Sequence, residues 1–194
     1  MMGILDYGAG NLASVKNAMD FLGYDTELVS DTRSLEASDC IIFPGVGSFG
    51  SMVDTLKERD MYNALHDHIM DGKPFLGICL GLQVLFEGSE ESPGHKGFSI
   101  LKGKATKFTE GKVPQIGWNK IEPKDGMMAS GWAYYVNSYR IKSSEHVLAT
   151  TDYYGEFVAA IKKDNITAFQ FHPEKSGRYG LTLLGWWYDC LQKG

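Results

Sequence analysis

The chain has 194 residues, 43% hydrophobic and 22% charged, with a formal net charge of −5. That length suits one compact domain over residues 1–194, large enough to bury a substantial core. The acidic balance argues against broad electrostatic binding of nucleic acid or of an anionic membrane.

No basic segment followed by a long apolar stretch opens the sequence, so no secretory signal is expected. No apolar run approaches the roughly 18 residues of a membrane-spanning helix. Cys40, Cys79 and Cys190 are widely spaced and form no CxxC pair. Free thiols in a reducing cytoplasm are the expectation.

In chain order, Ile4-Leu5 reads as a short strand, followed by the glycine-rich turn Asp6-Tyr7-Gly8-Ala9-Gly10-Asn11. Leu12, Val15, Ala18, Met19 and Leu22 then recur at helical spacing, and Gly23 sits at a helix C-cap. Thr26 to Val29 is a second predicted strand. Cys40-Ile41-Ile42-Phe43 is a third, apolar throughout as for a strand covered on both faces. Pro44-Gly45-Val46-Gly47 breaks it. A helix is predicted over much of Met52 to Met70, interrupted near Arg59-Asp60. Pro74 to Cys79 is a fourth strand, and Leu82, Leu85 and Phe86 suggest a helix after it. Strands alternating with helices predict an α/β fold with a mostly parallel central sheet.

The second half reads as further strands: Lys104 to Phe108, Trp118 to Ile121, Tyr134 to Ile141, Val147 to Thr151, Phe157 to Lys162 and Thr167 to Phe171. The short turns Lys124-Asp125-Gly126 and Lys163-Asp164-Asn165 point to antiparallel pairing there. Leu181 to Leu191 closes the chain as an apolar-rich helix.

Gly77-Ile78-Cys79-Leu80-Gly81 lies between an apolar strand and a helical pattern. This has the logic of a nucleophile elbow: glycines allow a tight turn and close helix–strand approach, and the turn aims the thiol into a cleft. The following helix N-terminus is expected to favour the thiolate, and the Leu80 amide to face a developing oxyanion. A lone cysteine in an apolar run is commonly a core residue. Cys40 and Cys190 fit that description; Cys79, with its flanking glycines, does not.

Phe171-His172-Pro173-Glu174 ends a predicted strand. Residues two apart in extended chain share a side, so Glu174 is placed to orient the His172 imidazole as a base for the thiol. Alone, these would pass for an unpaired surface His and Glu. With the elbow they supply base and orienting acid. His66, His68 and His95 are expected to be solvated, and no metal-ligand spacing occurs.

Leu76 to Gln83 together with Phe171 to Glu174 resembles the class I (triad) glutamine amidotransferases, over essentially the whole chain. Asp6 to Asn11, Phe43 to Gly47, Leu85-Phe86-Glu87 and Ile116-Gly117-Trp118-Asn119 resemble the glutaminase subunits of that family that serve histidine biosynthesis. The resemblance implies a flavodoxin-like fold, glutamine as substrate and no cofactor. It implies a Cys79 thioester, His172 as base and acid, and Glu174 orienting it. The oxyanion hole would come from Val46, Gly47 and Leu80. Gly45, Gln83, Glu91, Asn137, Ser138 and Tyr139 would contact glutamine. Asn137 and Gln115 stand where many relatives have histidine, which leaves any role of those imidazoles in doubt here.

The implied partner is a HisF-type (β/α)8-barrel cyclase, in a heterodimer, with Asn11, Trp118 and Asn119 on the docking side. It would combine ammonia with a phosphorylated ribulosyl aminoimidazole to give imidazole glycerol phosphate and an aminoimidazole carboxamide ribotide. Trp118 has a core reading beside its interface reading. Three alternatives stand beside this function: a similar glutaminase feeding another ammonia-accepting synthase, a non-catalytic module of the same fold, and a cysteine hydrolase or protease of similar fold, against which the Pro-Gly-Val-Gly turn and the His-Pro-Glu ending argue. Loss of a triad residue would have favoured the second, and none is lost.

Overall fold

The computed structural model describes residues 1–124 and 126–192. The chain runs β1 (Met2–Leu5), α1 (Leu12–Phe21), β2 (Glu27–Val29), α2 (Thr32–Glu36), β3 (Cys40–Gly45), α3 (Phe49–Glu58), α4 (Met61–Met70) and β4 (Phe75–Cys79). There follow α5 (Leu80–Gln83), β5 (Gly88–Ser89), β6 (Lys104–Lys107), β7 (Gln115–Pro123), β8 (Gly131–Asn137) and β9 (Tyr139–Arg140). The last elements are β10 (Val147–Asp152), β11 (Glu156–Lys163), β12 (Ile166–Phe169), a 3-10 turn (Pro173–Lys175) and α6 (Gly177–Leu191).

Among the described residues, nine strands form one sheet in the order β2-β1-β3-β4-β12-β11-β10-β7-β8. The pairs from β2 to β12 are parallel, and those from β12 to β8 antiparallel. A small second sheet joins β5, β6 and β9. This is the expected α/β arrangement, mostly parallel in the first half and antiparallel in the second.

The apolar strands face both ways. Ile41, Phe43 and Phe75 pack with Met52, Val53 and Leu56 of α3 and Leu65 and Ile69 of α4. Cys40, Ile42, Leu76 and Ile78 pack on the other face with Val15 and Met19 of α1 and Leu183, Leu184 and Trp187 of α6. Period-2 alternation within each strand therefore builds two cores, one per face.

Local chemistry sets the boundaries. Gly23, at φ +79°, ends α1, with the Tyr24 amide donating back to the Met19 carbonyl at 3.0 Å. The interruption predicted near Arg59-Asp60 is real: Asp60 is left-handed at φ +56° between α3 and α4. The five-residue α2 was not expected; it is too short to show helical periodicity and starts where the Asp31 carboxylate accepts from the Ser34 amide at 2.8 Å.

Several expectations need correction. The helix after the elbow is one turn and does not reach Leu85 and Phe86. The carbonyls of Val84, Leu85, Phe86 and Glu87 instead accept from the amides of Phe98, Leu101, Ser99 and Gly97 in a crossing segment. Leu82, Leu85 and Phe86 are still buried, so their spacing reported burial rather than a long helix. The strand expected over Tyr134 to Ile141 is broken at Ser138 into β8 and β9, which join different sheets. His68 is buried, not solvated, and burial pushes its pKa down to about 4. Cys190 is only half-buried. Asp125, in one expected turn, lies outside the described residues.

The parallel register places the site. Gly45 lies opposite Cys79, and Ile78 opposite Phe169, so β3, β4 and β12 end at one edge of the sheet. The turns after them converge there, which is where ligands bind in open α/β sheets.

Candidate active site

Cys79 ends β4 at φ +57° and ψ −105°, a strained conformation for a residue with a Cβ. The strain is maintained by close packing around the elbow. An ideal Cβ on Gly81 would lie 2.2 Å from the Phe43 carbonyl oxygen, and one on Gly77 would lie 2.3 Å from the Gly81 carbonyl oxygen. Only glycines let α5 sit this close to β3 and β4. The Leu80 amide opens α5 and so has no acceptor within the helix. With α5 a single turn, its dipole offers less support for a thiolate than expected.

His172 and Glu174 meet, but not through extended chain. His172 precedes the 3-10 turn, and that turn folds the Glu174 carboxylate back, with its Oε1 2.8 Å from His172 Nδ1. Both side chains are almost wholly buried. The His172 amide donates to the Tyr134 carbonyl at 2.9 Å. Ser176 Oγ donates to the His172 carbonyl at 2.6 Å and accepts from the Tyr134 amide at 2.9 Å. These bonds fasten the His172 backbone to β8.

Burial by itself would lower the His172 pKa. The charge and hydrogen-bonding interactions with Cys79 and then with Glu174 outweigh it and raise the imidazole from 6.5 to about 10. The arrangement therefore favours an imidazolium beside the Cys79 sulfur.

A cavity of about 410 Å³ opens over the sulfur, lined among others by Val46, Gly47, Cys79, Leu80, Gln83 and His172. Glu91, Asn137, Ser138 and Tyr139 complete most of its wall, with Pro114, Val136 and Lys175. Of the residues expected to contact glutamine, only Gly45 is absent from the lining; it lies beneath, and a Cβ there would meet Leu80 Cβ at 2.5 Å.

The polar groups are selectively occupied. Gln83 is buried; its Nε2 donates to the Tyr139 carbonyl at 3.2 Å and to Gln170 Oε1 at 3.0 Å, and its Oε1 has no protein partner. Asn137 Nδ2 donates to the Tyr139 carbonyl at 3.0 Å, and its Oδ1 is likewise unpartnered. The protein thus fixes both amide planes and leaves two buried acceptor oxygens without a partner, on residues of the cavity wall. Glu91 Oε2 accepts from the Phe49 amide at 2.7 Å at the start of α3. Gln115, opposite Asn137 across the β7–β8 ladder, is also buried with an unpartnered Oε1.

Sequence reasoning missed Gln170 and Ser176. Gln170 is fully buried, its Nε2 donating to Cys79 Sγ at 3.7 Å while its Oε1 accepts from Gln83. The available signal was a polar residue between two buried phenylalanines.

Asn11, Trp118 and Asn119 do not line the cavity. Asn11 sits at the start of α1 and accepts from Ser14 Oγ at 2.9 Å. Asn119 Nδ2 donates to the Asp152 carbonyl at 2.6 Å. Trp118 is 53% exposed and Trp132 57% exposed, with Ile116 and Val136 also exposed, so Trp118 is not a core residue. Val136 both lines the cavity and belongs to this apolar face.

The family profile described as glutamine amidotransferase class-I matches residues 3–184. The chain belongs to the class-I glutamine amidotransferase family. Enzymes of this family hydrolyse glutamine, and this chain is a glutamine-hydrolysing amidotransferase. The chain is 48% identical over 191 residues to the imidazole glycerol phosphate synthase subunit HisH of Methanothermobacter thermautotrophicus, covering 95% of this chain and 96% of that one. It is 44% identical over 191 residues to the corresponding subunit of Aquifex aeolicus, covering 93% and 92%. It is 40% identical over 200 residues to the imidazole glycerol phosphate synthase hisHF of Schizosaccharomyces pombe, covering 95% of this chain but 37% of that longer protein. Among solved structures, one described as a glutamine amidotransferase superposes with a TM-score of 0.80 at 19% identity, covering 97% of each chain. Another, PurLQS from Thermotoga maritima, superposes with a TM-score of 0.76 at 16% identity, covering 98% of each. These last two speak to the fold alone.

Proposed function

We propose that residues 1–194 work as one glutaminase unit, the ammonia-producing half of an imidazole glycerol phosphate synthase. The observation that carries this reading is the Cys79–His172–Glu174 constellation at one cavity, in a chain nearly half identical to HisH subunits over almost its full length.

In this reading the Cys79 thiolate attacks the side-chain amide carbon of glutamine. The oxygen becomes an oxyanion facing the Leu80 amide and the Val46-Gly47 turn. His172, protonated, gives its proton to the amide nitrogen; the C–N bond breaks and ammonia leaves, with a glutamyl thioester on Cys79. Water then attacks the thioester carbon while His172 takes its proton. Collapse of the second tetrahedral species breaks the C–S bond and releases glutamate, restoring thiolate and imidazolium. Glu174 holds the imidazole tautomer throughout. The unpartnered oxygens of Gln83 and Asn137 accept from substrate N–H groups, Glu91 faces its ammonium, and the Ser138-Tyr139 backbone completes the pocket.

The acceptor is a HisF-type (β/α)8-barrel cyclase. The fused hisHF relative supports a one-to-one pairing of the two activities. The apolar face of Trp118, Trp132, Ile116 and Val136 supports docking beside the cavity, which Val136 also lines, and Asn11 and Asn119 are proposed to join that interface. No described helix is long and apolar enough to cross a membrane. The test is glutamate release from glutamine by the purified chain, with and without the cyclase and its phosphorylated ligand. Low activity alone and strong stimulation by the liganded cyclase are expected. Full activity alone would remove the coupling from this reading, and no glutamate under any condition would remove the glutaminase.

A further inference from the structure

Gln170 follows β12 and is fully buried, and the chemistry above gives it no part. Its neighbours Phe169 and Phe171 stack on each other, centroids 4.9 Å apart, in the core shared with α1 and α6. Alternation along the chain turns the Gln170 side chain the other way, toward Gln83 of α5. A buried amide is costly unless it is hydrogen-bonded, so its partners show what it is kept for. Both belong to the active site. Its Oε1 accepts from Gln83 Nε2 at 3.0 Å, and its Nε2 donates to Cys79 Sγ at 3.7 Å. Gln170 itself does not line the cavity.

The polarity of this chain of amides is fixed from its far end. The Tyr139 carbonyl can only accept, and Gln83 Nε2 donates to it at 3.2 Å. The second hydrogen of Gln83 Nε2 then goes to Gln170 Oε1. That leaves the Gln170 NH2, not its oxygen, facing the sulfur. Turning the Gln170 amide over would set two NH2 groups against each other and an oxygen against the sulfur lone pairs. The sulfur therefore meets an enforced N–H donor in addition to the imidazole. Such a donor favours the charged form of its acceptor over the neutral one. A thiol proton, by contrast, points to the Val136 carbonyl at 4.0 Å.

We infer that Gln170 is a positioning residue for the nucleophile: anchored through Gln83 on the Tyr139 carbonyl, its amide gives the Cys79 thiolate a second N–H donor from outside the cavity. This rests on the reading of Cys79 as the nucleophile. An apolar side chain would fill the space beside Phe169 and Phe171 without the cost of burying an amide, so packing alone does not account for a glutamine there.

The test is alkylation of Cys79 by iodoacetamide in the whole chain, followed by peptide mass as a function of pH. Gln170→Met removes both donor and acceptor. On the rising limb of the wild-type pH profile its alkylation is expected to be about tenfold slower, the lower end for a hydrogen bond to a charged group because sulfur is a weak acceptor. On the plateau the two rates are expected to converge. A packing role lowers the rate by the same factor at every pH, and that outcome overturns the proposal. Gln170→Glu keeps the shape and the acceptor toward Gln83. It sets beside the thiol a group that is ordinarily the stronger acid by about four pH units, so the pair carries its negative charge on the carboxylate. On the rising limb it is expected to be slower than Gln170→Met, although it is the better isostere; a Gln170→Glu rate closer to wild type overturns the proposal. Should one variant fail to fold, the other carries the comparison across pH. Glutamate release by the wild type with the liganded cyclase is the separate check on Cys79. Release that survives alkylation of Cys79 sinks both readings, whereas blocked release with variant profiles that superpose on wild type sinks only the role of Gln170.

Discussion

Gly81→Ala tests whether the elbow's close packing, rather than the thiol alone, makes the site. An ideal Cβ at this position lies 2.2 Å from the Phe43 carbonyl oxygen. An ordinary C···O contact needs about 3.3 Å, so α5 must retreat from β3 by about 1 Å. Both contacting atoms are backbone, so no side chain can swing aside. Overpacking of this kind costs about 1–3 kcal/mol. For a chain of this size, a loss of about 2 kcal/mol lowers the melting temperature by roughly 4–8 °C. The same displacement moves Cys79 and Leu80 relative to His172, and a misplacement of about 1 Å costs on the order of 10²-fold in rate. The assay is thermal unfolding of the free chain beside kcat for glutamine in the cyclase complex. Gly94→Ala is the control, because nothing lies within 4 Å of its Cβ position. Wild-type stability and rate in Gly81→Ala would refute the close approach. A lowered melting temperature with an unchanged kcat would refute its link to the chemistry.

Cys79→Ala should abolish glutamine hydrolysis while binding the cyclase as well as wild type does in a calorimetric titration; wild-type-like hydrolysis would take Cys79 out of the mechanism. The imidazole of His172, raised to about 10 with Cys79 as the larger of the raising influences, should titrate distinctly lower in that variant when followed by NMR. Because its folded pKa lies above the unfolded value of 6.5, the stability it contributes is full below about 6.5 and lost as pH rises through about 10. Wild type should therefore lose more stability than Cys79→Ala over that window, and identical denaturation profiles would contradict the thiol–imidazole coupling. Trp118→Ala should weaken cyclase binding by about 2 kcal/mol, roughly 30-fold in Kd, with glutamine hydrolysis by the free chain unaltered; an unchanged Kd would place docking elsewhere.

Much of the site was legible because its parts are contiguous in sequence. Gly77 to Gly81 and Phe171 to Glu174 carry their own local geometry, so a candidate elbow, base and acid could be picked out before any fold was known. The geometry behind them was less legible. His172 and Glu174 meet through a 3-10 turn rather than an extended strand, and the helix expected through Phe86 ends at Gln83. After the elbow the spacing of apolar residues reported burial rather than a helix, and in both places the partners of the backbone groups came from elsewhere: Phe98, Ser99 and Leu101 in one case, Ser176 and Tyr134 in the other.

Sequence patterns alone were enough for the class of fold and for singling out Cys79, His172 and Glu174 as candidates. Binary patterning and glycine spacing are local, and they constrain the chain wherever it lies. Tertiary structure decided what those residues can do together. Only the parallel register of β3, β4 and β12 sets Gly45 beside Cys79 and brings Gln170 beneath the sulfur. Only folding buries His68 and exposes Trp118. Only the packing of the first strand's end against Phe43 puts the Tyr7 hydroxyl on the Val46 peptide groups, a contact across 39 residues. Such contacts depend on which distant groups share a face, and a hydrogen bond to a backbone amide leaves no mark in the identity of the residue that supplies it.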